Sequence, residues 1–307
     1  MAKLIFMGTA DFACACLDGL EGAGMTPGLI ITRPDGVAGR NRRPSQPPVK
    51  KWALSRGIEI WQPRMINNPD CIQRLGEICP DLFLVAAYGS ILRSEVLAIP
   101  RLGAINVHAS LLPDLRGAAP IEWAIMLGRT ETGITTMYMD AGLDTGDIIL
   151  QQATKIGPKE TGHELRERLA AMAKNLLPDT VSLVRGGAAP RIPQPPGEYT
   201  YAPPLDSSLE RIHWRRTAVD IANQIRALAP KPGCFCIFRG LRLKLIRAVA
   251  LEDSAPPGHI LRRGKDLFIG TGHGLLQVFE LQLQGKKALS SSDFINGYRL
   301  EEGELFL

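Results

Sequence analysis

The sequence predicts an α/β chain in two parts: a Rossmann-like, mostly parallel sheet domain followed by a small OB-like β-barrel domain. Three observations predict it. Apolar runs of strand length alternate with helix-spaced segments through the first half. A stretch rich in Pro and Gly then interrupts the pattern. Short β-like runs at near-regular spacing follow it. The 307 residues allow two domains, since a single core usually stops growing near ~250 residues.

In order, "KLIFMG" is an apolar run ending in Gly, and "TADFACACLDGLEGAG" has helix-like apolar spacing with a Gly stop. The pattern recurs in "GLIITRPD", a helix from about Val49 to Arg56, "IEIWQP", a helix near Asp70 to Ile78, "DLFLVAAYG", a helix near Glu95, and "GAINVHAS". This alternation argues for a parallel sheet with helices on both faces. A helix opens near Pro120 in "GAAPIEWAIMLG", and two β-rich runs, "TGITTMYMD" and "GDIILQQATKI", are joined by the Gly- and Asp-rich "AGLDTGD". A long helix from Thr161 to about Val184 ends the first part. Residues 186–205, with six Pro and three Gly, form no regular element. A helix from Ala218 to Leu228 and the runs "GCFCIFRG", "LRLKLIRAV", "GHILRRG", "DLFIGTG" and "LLQVFELQLQG" predict the barrel. The expected boundaries are 1–188 for the α/β domain, 189–206 for a Pro-rich linker and 207–307 for the barrel.

Hydrophobic residues at 45% and charged ones at 22% exclude a disordered chain. No apolar run approaches the ~18 residues of a membrane span, and the first residues run straight into a strand without a cleavage-site pattern, so a cytoplasmic protein is expected. The six cysteines lack the spacing of a zinc site and read as buried small hydrophobes. Gly8-Thr9 lacks the G-x-G-x-x-G pattern, so no NAD site is expected. Charge is unevenly placed: residues 1–205 hold 21 Lys/Arg against 20 Asp/Glu, and residues 206–300 hold 15 against 8. The basic second part suits a polyanion, although a solvated basic surface has the same composition.

The densest chemistry lies in "NVHASLLPDLRGAAP". Side chains two apart on a strand share a face, roughly 7 Å from Cα to Cα. Asn106 and His108 therefore project together while Val107 enters the opposite core. They end a strand of an open α/β sheet, where the ligand crevice is expected. An amide donor beside an imidazole suits a carbonyl oxygen that gains negative charge under attack. A carboxylate is needed to orient the imidazole; Asp144 in "GLDTGD" is the first candidate and Asp147 the reserve. On the residues alone, a satisfied structural histidine competes with this reading.

The blocks "NVHASLLPDLRGAAPIEWAI" and "TGITTMYMDAGLDTGD" closely resemble the folate-dependent formyltransferases. The resemblance continues through "MGTADFA", "RPDGVAGRNRRPSQPPVK", "VAAYGSIL", "RIHWRRTAVDIANQIRALAPKPG" and "GKKALSSSDFINGYRL", covering nearly the whole chain and pointing to the branch that acts on methionyl-tRNA. It implies a catalytic trio of Asn106, His108 and Asp144, with 10-formyltetrahydrofolate as cosubstrate and methionyl-initiator tRNA as acceptor. It implies that folate is held by Ser110, Leu111, Leu112 and Pro113, with loops carrying Tyr88, Gly89, Ile91 and Leu92 and carrying Asp140 and Gly142 enclosing the pterin. A neutral α-amine would attack the formyl carbon, with Asn106 and protonated His108 meeting the oxyanion and Asp144 helping to relay protons through water. No acylated residue and no metal are expected.

The loop of residues 33–51, "RPDGVAGRNRRPSQPPVKK", carries six basic residues against one Asp and is expected to be irregular. By the resemblance it meets the acceptor end of the tRNA, with Arg40 matching the family's functional arginine and Arg42, Arg43 and Lys50 as further contacts. The basic barrel would grip the tRNA body through phosphates. His163, His213, His259 and His273 match no motif, and a monomer is expected. Two details depart from the family pattern: Asp114 stands where members often carry a basic residue, and "LAPKPG" lacks a Trp many show. The rival readings are an N-formyltransferase acting on an amino sugar nucleotide, which should lack both basic regions, a non-catalytic RNA-binding protein, which needs a broken trio, and hydrolysis of formyl-folate, which leaves the tRNA-directed charge unexplained.

Overall fold

The computed structural model describes residues 3–38, 43–301 and 303–307. The chain falls into two compact units: Met1–Pro120 with Thr132–Thr154 and Arg166–Ala202, and Ile121–Glu131 with Lys155–Leu165 and Pro203–Leu307. Among the described residues, no helix is long and apolar enough to cross a membrane.

Up to Ala202 the elements are β1 Leu4–Gly8, α1 Asp11–Gly22, β2 Leu29–Ile31, β3 Gly36–Ala38, β4 Arg43–Ser45, α2 Pro48–Leu54, β5 Glu59–Trp61, α3 Pro69–Ile78, β6 Leu82–Ala86, α4 Ser94–Leu97, β7 Ala104–His108, β8 Arg116–Gly117, α5 Pro120–Met126, β9 Glu131–Tyr138, β10 Ile148–Lys155, α6 Gly162–Arg185 and β11 Tyr201–Ala202. The main sheet runs β10-β9-β7-β6-β1-β2-β5. From β7 to β5 every neighbouring pair is parallel, while β9 runs antiparallel to β7. β1 and β6 are buried along their whole length, as strands covered on both faces must be. β1 lies between β2 and β6, where chain order reverses across the sheet. The loops leaving β1 and β6 are stitched together there: Thr9 N–H donates to the Ala87 carbonyl at 3.2 Å and Thr9 Oγ1 to the Tyr88 carbonyl at 2.9 Å. This is the crevice position of an open α/β sheet.

Two expectations are revised in this unit. The basic loop is not irregular throughout, because β3 and β4 pair as a two-stranded antiparallel ribbon. The stretch 186–205 is divided, with residues through Ala202 belonging to the first unit and those from Pro203 to the second. Its short strand β11 pairs in parallel with β8.

The second unit adds a 3-10 turn, Ser207–Glu210, then α7 Ala218–Leu228, β12 Cys234–Phe238, β13 Leu241–Leu251, β14 Ile260–Arg263, β15 Asp266–Gly270, β16 Leu275–Leu283, β17 Leu289–Ser290 and α8 Ser291–Tyr298. Its antiparallel sheet runs β12-β13-β16-β15-β14, with β17 on β16. A bulge breaks the β13–β16 register between Leu245 and Ala248, the usual device for bending a strand. Residues 303–307 join the two ends of this order. Leu307 exchanges both backbone hydrogen bonds with Ile237 of β12, while Ile260 of β14 donates to Glu304 and accepts from Gly303. Closure leaves neither end of the sheet as a free edge. Inside, the Phe238 ring lies 5.5 Å from Phe294 and 5.3 Å from Phe306, centroid to centroid. The sequence reading missed α8, whose signal is Ser290 followed by Asp293: the Ser290 hydroxyl accepts from the Asp293 N–H.

Phe306 is 1% exposed and sits on the segment that closes the sheet. Phe306→Ala is expected to lower unfolding stability by about 3–5 kcal/mol, read as a lower denaturant midpoint of the second unit's transition.

Candidate active site

β7 carries Asn106 and His108 to the carboxyl end of the sheet, and Val107 between them is buried opposite Thr136 of β9. His108 is 5% exposed, and its Nε2 lies 2.9 Å from the Leu115 carbonyl oxygen. A carbonyl only accepts, so Nε2 carries a proton and donates it. The ring is thereby fixed with Nδ1 facing Asp144, whose Oδ2 lies 3.7 Å away. That is within ion-pair reach and too long for a hydrogen bond. Nδ1 is the ring nitrogen left to exchange a proton with a third group.

Asp144 lies in the loop between β9 and β10 with φ at +53°. Such a backbone persists in a non-glycine residue only where its surroundings hold it. Here the Gly117 N–H donates to Oδ2 at 2.8 Å, Asn106 Nδ2 donates to Oδ1 at 3.3 Å, and Gln194 Nε2 donates to the Asp144 carbonyl at 2.9 Å. The trio expected from the sequence is therefore brought together on one carboxylate, which is hydrogen-bonded to Asn106 and lies at ion-pair distance from His108. Its reserve, Asp147, is ion-paired to Arg191 at 3.5 Å instead. Gly117 has φ +122°, and a Cβ there would sit 2.6 Å from the Ala202 carbonyl oxygen of β11.

The "SLLP" segment next to the trio is held from below by Thr135 and Gln151. Thr135 Oγ1 donates to the Ser110 carbonyl at 2.7 Å and accepts from the Leu112 N–H at 3.1 Å, while Gln151 Nε2 donates to the Leu112 carbonyl at 2.8 Å. The Ser110 hydroxyl is spent on the Asp114 carbonyl at 2.5 Å. Ser110 and Leu112 are buried, and Leu111 and Pro113 keep accessible surface. In the loop after β6, Tyr88 is buried and its phenol is pushed up to about 12 by that burial. Gly89 has φ +78°, and Leu92 is buried. Asn67 pins the following turn by accepting from Arg93 N–H and donating to the Ile91 carbonyl, both at 2.9 Å. Ile91 itself is 79% exposed. Asp140 Oδ1 accepts from Gly142 N–H at 3.0 Å and from Thr145 Oγ1 at 2.6 Å. These two residues shape the turn that presents Asp144.

Of the basic positions, Arg40 and Arg42 lie outside the described residues, and Arg43 is placed on β4. Lys50 is paired with Asp35, its Nζ 2.8 and 2.7 Å from the two carboxylate oxygens, so it ties α2 to the basic loop. His163, His213 and His273 are exposed and His259 half-buried. The cysteine expectation holds at Cys16, Cys234 and Cys236, which are buried, but Cys79 is exposed where α3 ends in the left-handed conformation. Sequence reasoning missed the Leu115 carbonyl, the Gly117 amide, Thr135, Gln151 and Gln194. The glycine of "LRGAAP" was a signal for the second; the others act across 16 or more residues or through backbone, as Gln194 does 50 residues from Asp144.

A family model described as "Formyl transferase" matches residues 2–181, and one described as "Formyl transferase, C-terminal domain" matches residues 204–299. The methionyl-tRNA formyltransferase of Pelotomaculum thermopropionicum is 46% identical, covering 98% of this chain and 97% of its own. That of Symbiobacterium thermophilum is 45% identical, covering 100% and 95%. Among solved structures, the sugar 3N-formyl transferase WlaRD, in the presence of dTDP and 5-N-formyl-THF, aligns with a TM-score of 0.67 at 19% identity, covering 94% of this chain and 99% of that one. HypX from Aquifex aeolicus, in complex with tetrahydrofolic acid, aligns with a TM-score of 0.60 at 16% identity, covering 99% and 50%. At these identities the two structures share the fold.

Gly117→Ala places a Cβ against the Ala202 carbonyl in a backbone region that favours glycine. It is expected to cost about 2 kcal/mol, measured as a lower midpoint in denaturant unfolding against the parent chain.

Proposed function

The chain belongs to the formyl transferase family, and on that premise we propose that it transfers the formyl group of 10-formyltetrahydrofolate to the α-amine of methionyl-initiator tRNA, giving N-formylmethionyl-tRNA for translation initiation. The acceptor rests on full-length relatives at 45–46% identity that carry the name methionyl-tRNA formyltransferase. The observation that carries the chemistry is the closure of Asn106, His108 and Asp144 into one group at the end of β7.

In that reaction the amine nitrogen bonds to the formyl carbon, the bond to N10 of the folate breaks, and one proton moves from the amine to N10. An α-amino group titrates near ~8, so much of the nucleophile is already neutral. The work left to the protein is to place the reactants and to meet the negative charge that develops on the formyl oxygen. Asn106 Nδ2 has two N–H bonds, of which Asp144 takes one at 3.3 Å. The other is available to the oxygen. His108 Nδ1, when protonated, is the second donor, because Nε2 is occupied by Leu115. Asp144 faces the resulting charge and can pass a proton to or from a water beside Nδ1.

Leu111 and Pro113 line the folate side of the site in this reading, with the turn carrying Gly89 and Ile91 beside the pterin. Arg40, Arg42 and Arg43 meet the acceptor end, with the basic second unit holding tRNA through phosphates. The amino sugar nucleotide reading rests on structural neighbours at 18–19% identity, which carry the fold alone.

Formyl transfer is to be followed with methionyl-initiator tRNA, free methionine and an amino sugar nucleotide as acceptors. Transfer to the charged tRNA alone is expected, and transfer to the sugar alone would reassign the acceptor. His108→Ala is expected to lower kcat about 10²- to 10³-fold while folate binding changes little; near-normal turnover would remove His108 from the mechanism.

A further inference from the structure

The Pro-rich segment before Pro203 is hydrogen-bonded to the backbone that carries Asp144 and to the Leu115–Arg116 stretch beside His108. Ile192 and Ile148 exchange backbone hydrogen bonds at 2.8 and 3.1 Å. Gln194 then uses both ends of its amide. Its Oε1 accepts from Arg116 Nε and Nη2 at 3.1 and 2.6 Å, and its Nε2 donates to the carbonyls of Asp144 and Gly146 at 2.9 and 2.8 Å. Six residues on, the Thr200 hydroxyl accepts from the Leu115 N–H at 2.9 Å and donates to the Asp114 carboxylate. Leu115 has φ +61°, and its carbonyl is the one that fixes His108. The Thr200 and Ala202 carbonyls accept from the N–H groups of Arg116 and Ala118, both at 2.9 Å.

We propose that residues 192–202 are a positioning strap for the trio, in which Gln194 sets Asp144 and Thr200 sets the Leu115 carbonyl that orients His108. The inference rests on the formyl-transfer reading for its effect on turnover. Each side of the trio has one peg. Without Gln194 the left-handed Asp144 loses the donor to its own carbonyl; without the Thr200 hydroxyl the Asp114–Leu115 peptide loses the acceptor of its N–H, leaving the left-handed Leu115 held only through the next peptide, where Arg116 N–H donates to the Thr200 carbonyl. Asp114 gains a role by the same geometry, since its carboxylate receives the Thr200 hydroxyl where a basic side chain could not. A misplacement of about 1 Å at reacting groups can cost about 10²-fold in rate, so the strap acts on turnover without touching either substrate.

The test uses the full chain with Thr200→Val, Thr200→Ser and Gln194→Glu. Valine removes the hydroxyl at nearly the same shape, serine restores it, and glutamate keeps an acceptor for Arg116 while removing both N–H donors. Thr200→Val and Gln194→Glu are expected to lower kcat about 10- to 100-fold, with KM for 10-formyltetrahydrofolate within about twofold and thermal melting close to the parent's. Thr200→Ser is expected to recover most of the rate. In the ligand-free protein, the imidazole Nε2–H resonance of His108 should exchange with water faster in Thr200→Val and recover in Thr200→Ser. Should Thr200→Val not fold, Gln194→Glu and Thr200→Ala carry the same comparison. Turnover within twofold of the parent in a folded Gln194→Glu removes Gln194 from the strap, and an unchanged His108 resonance in Thr200→Val or Thr200→Ala removes Thr200. Because the resonance needs neither donor nor acceptor, a parent chain that transfers no formyl group would sink the functional reading while the resonance still decides the strap.

Discussion

The carboxylate of Asp144 ties together segments that lie far apart along the chain. One oxygen receives Asn106 of β7, and the other receives the Gly117 amide and faces His108. A residue at φ +53° holds such a position only if its backbone is anchored as well. That anchor is Gln194 on the carbonyl, joined in turn to Arg116. Remove the convergence and each partner becomes ordinary: an amide at a strand end, a buried imidazole on a carbonyl, a glycine in a turn. The carboxylate makes them one site.

This arrangement suits a reaction that needs no covalent enzyme intermediate. Cys16 and Cys236 are fully enclosed and burial pushes their thiols well up, with Cys234 pushed up to about 12. Such groups are poor nucleophiles and pack as small hydrophobes. The Ser110 hydroxyl is tied to a backbone carbonyl. Polar groups in and around the site are therefore spent on geometry, the factor that governs transfer between two bound substrates.

The second unit differs from the first in its charge. Residues 206–300 hold seven more Lys/Arg than Asp/Glu, and several of the arginines lie on aromatic faces: Arg242 is 4.3 Å from the Phe235 ring centroid and Arg263 5.1 Å from that of Phe268. A guanidinium on a ring keeps a fixed direction, and that of Arg263 is held further by Asp253 at 2.6 Å.

Periodicity and local chemistry in the sequence determined the alternation of strands and helices in the first unit apart from the β3–β4 ribbon, the position of α7, the run of short strands in the second unit and the pairing of Asn106 with His108 on one face of β7. All of these depend on neighbours a few residues apart, where the repeat of a strand or helix decides which side chains meet. The block "GLDTGD" singled out Asp144, with Asp147 beside it; only the fold chose between them, by ion-pairing Asp147 to Arg191. The tertiary structure alone decided that Lys50 is taken by Asp35, that Cys79 is exposed, that residues 303–307 close the second sheet, and that a mostly irregular Pro-rich stretch is bonded to Asp144 and Leu115 beside the trio. Nothing in the residues around Gln194 or Thr200 marks them, because their partners lie 50 and 85 positions away and their hydrogen bonds go largely to backbone, which every sequence carries alike.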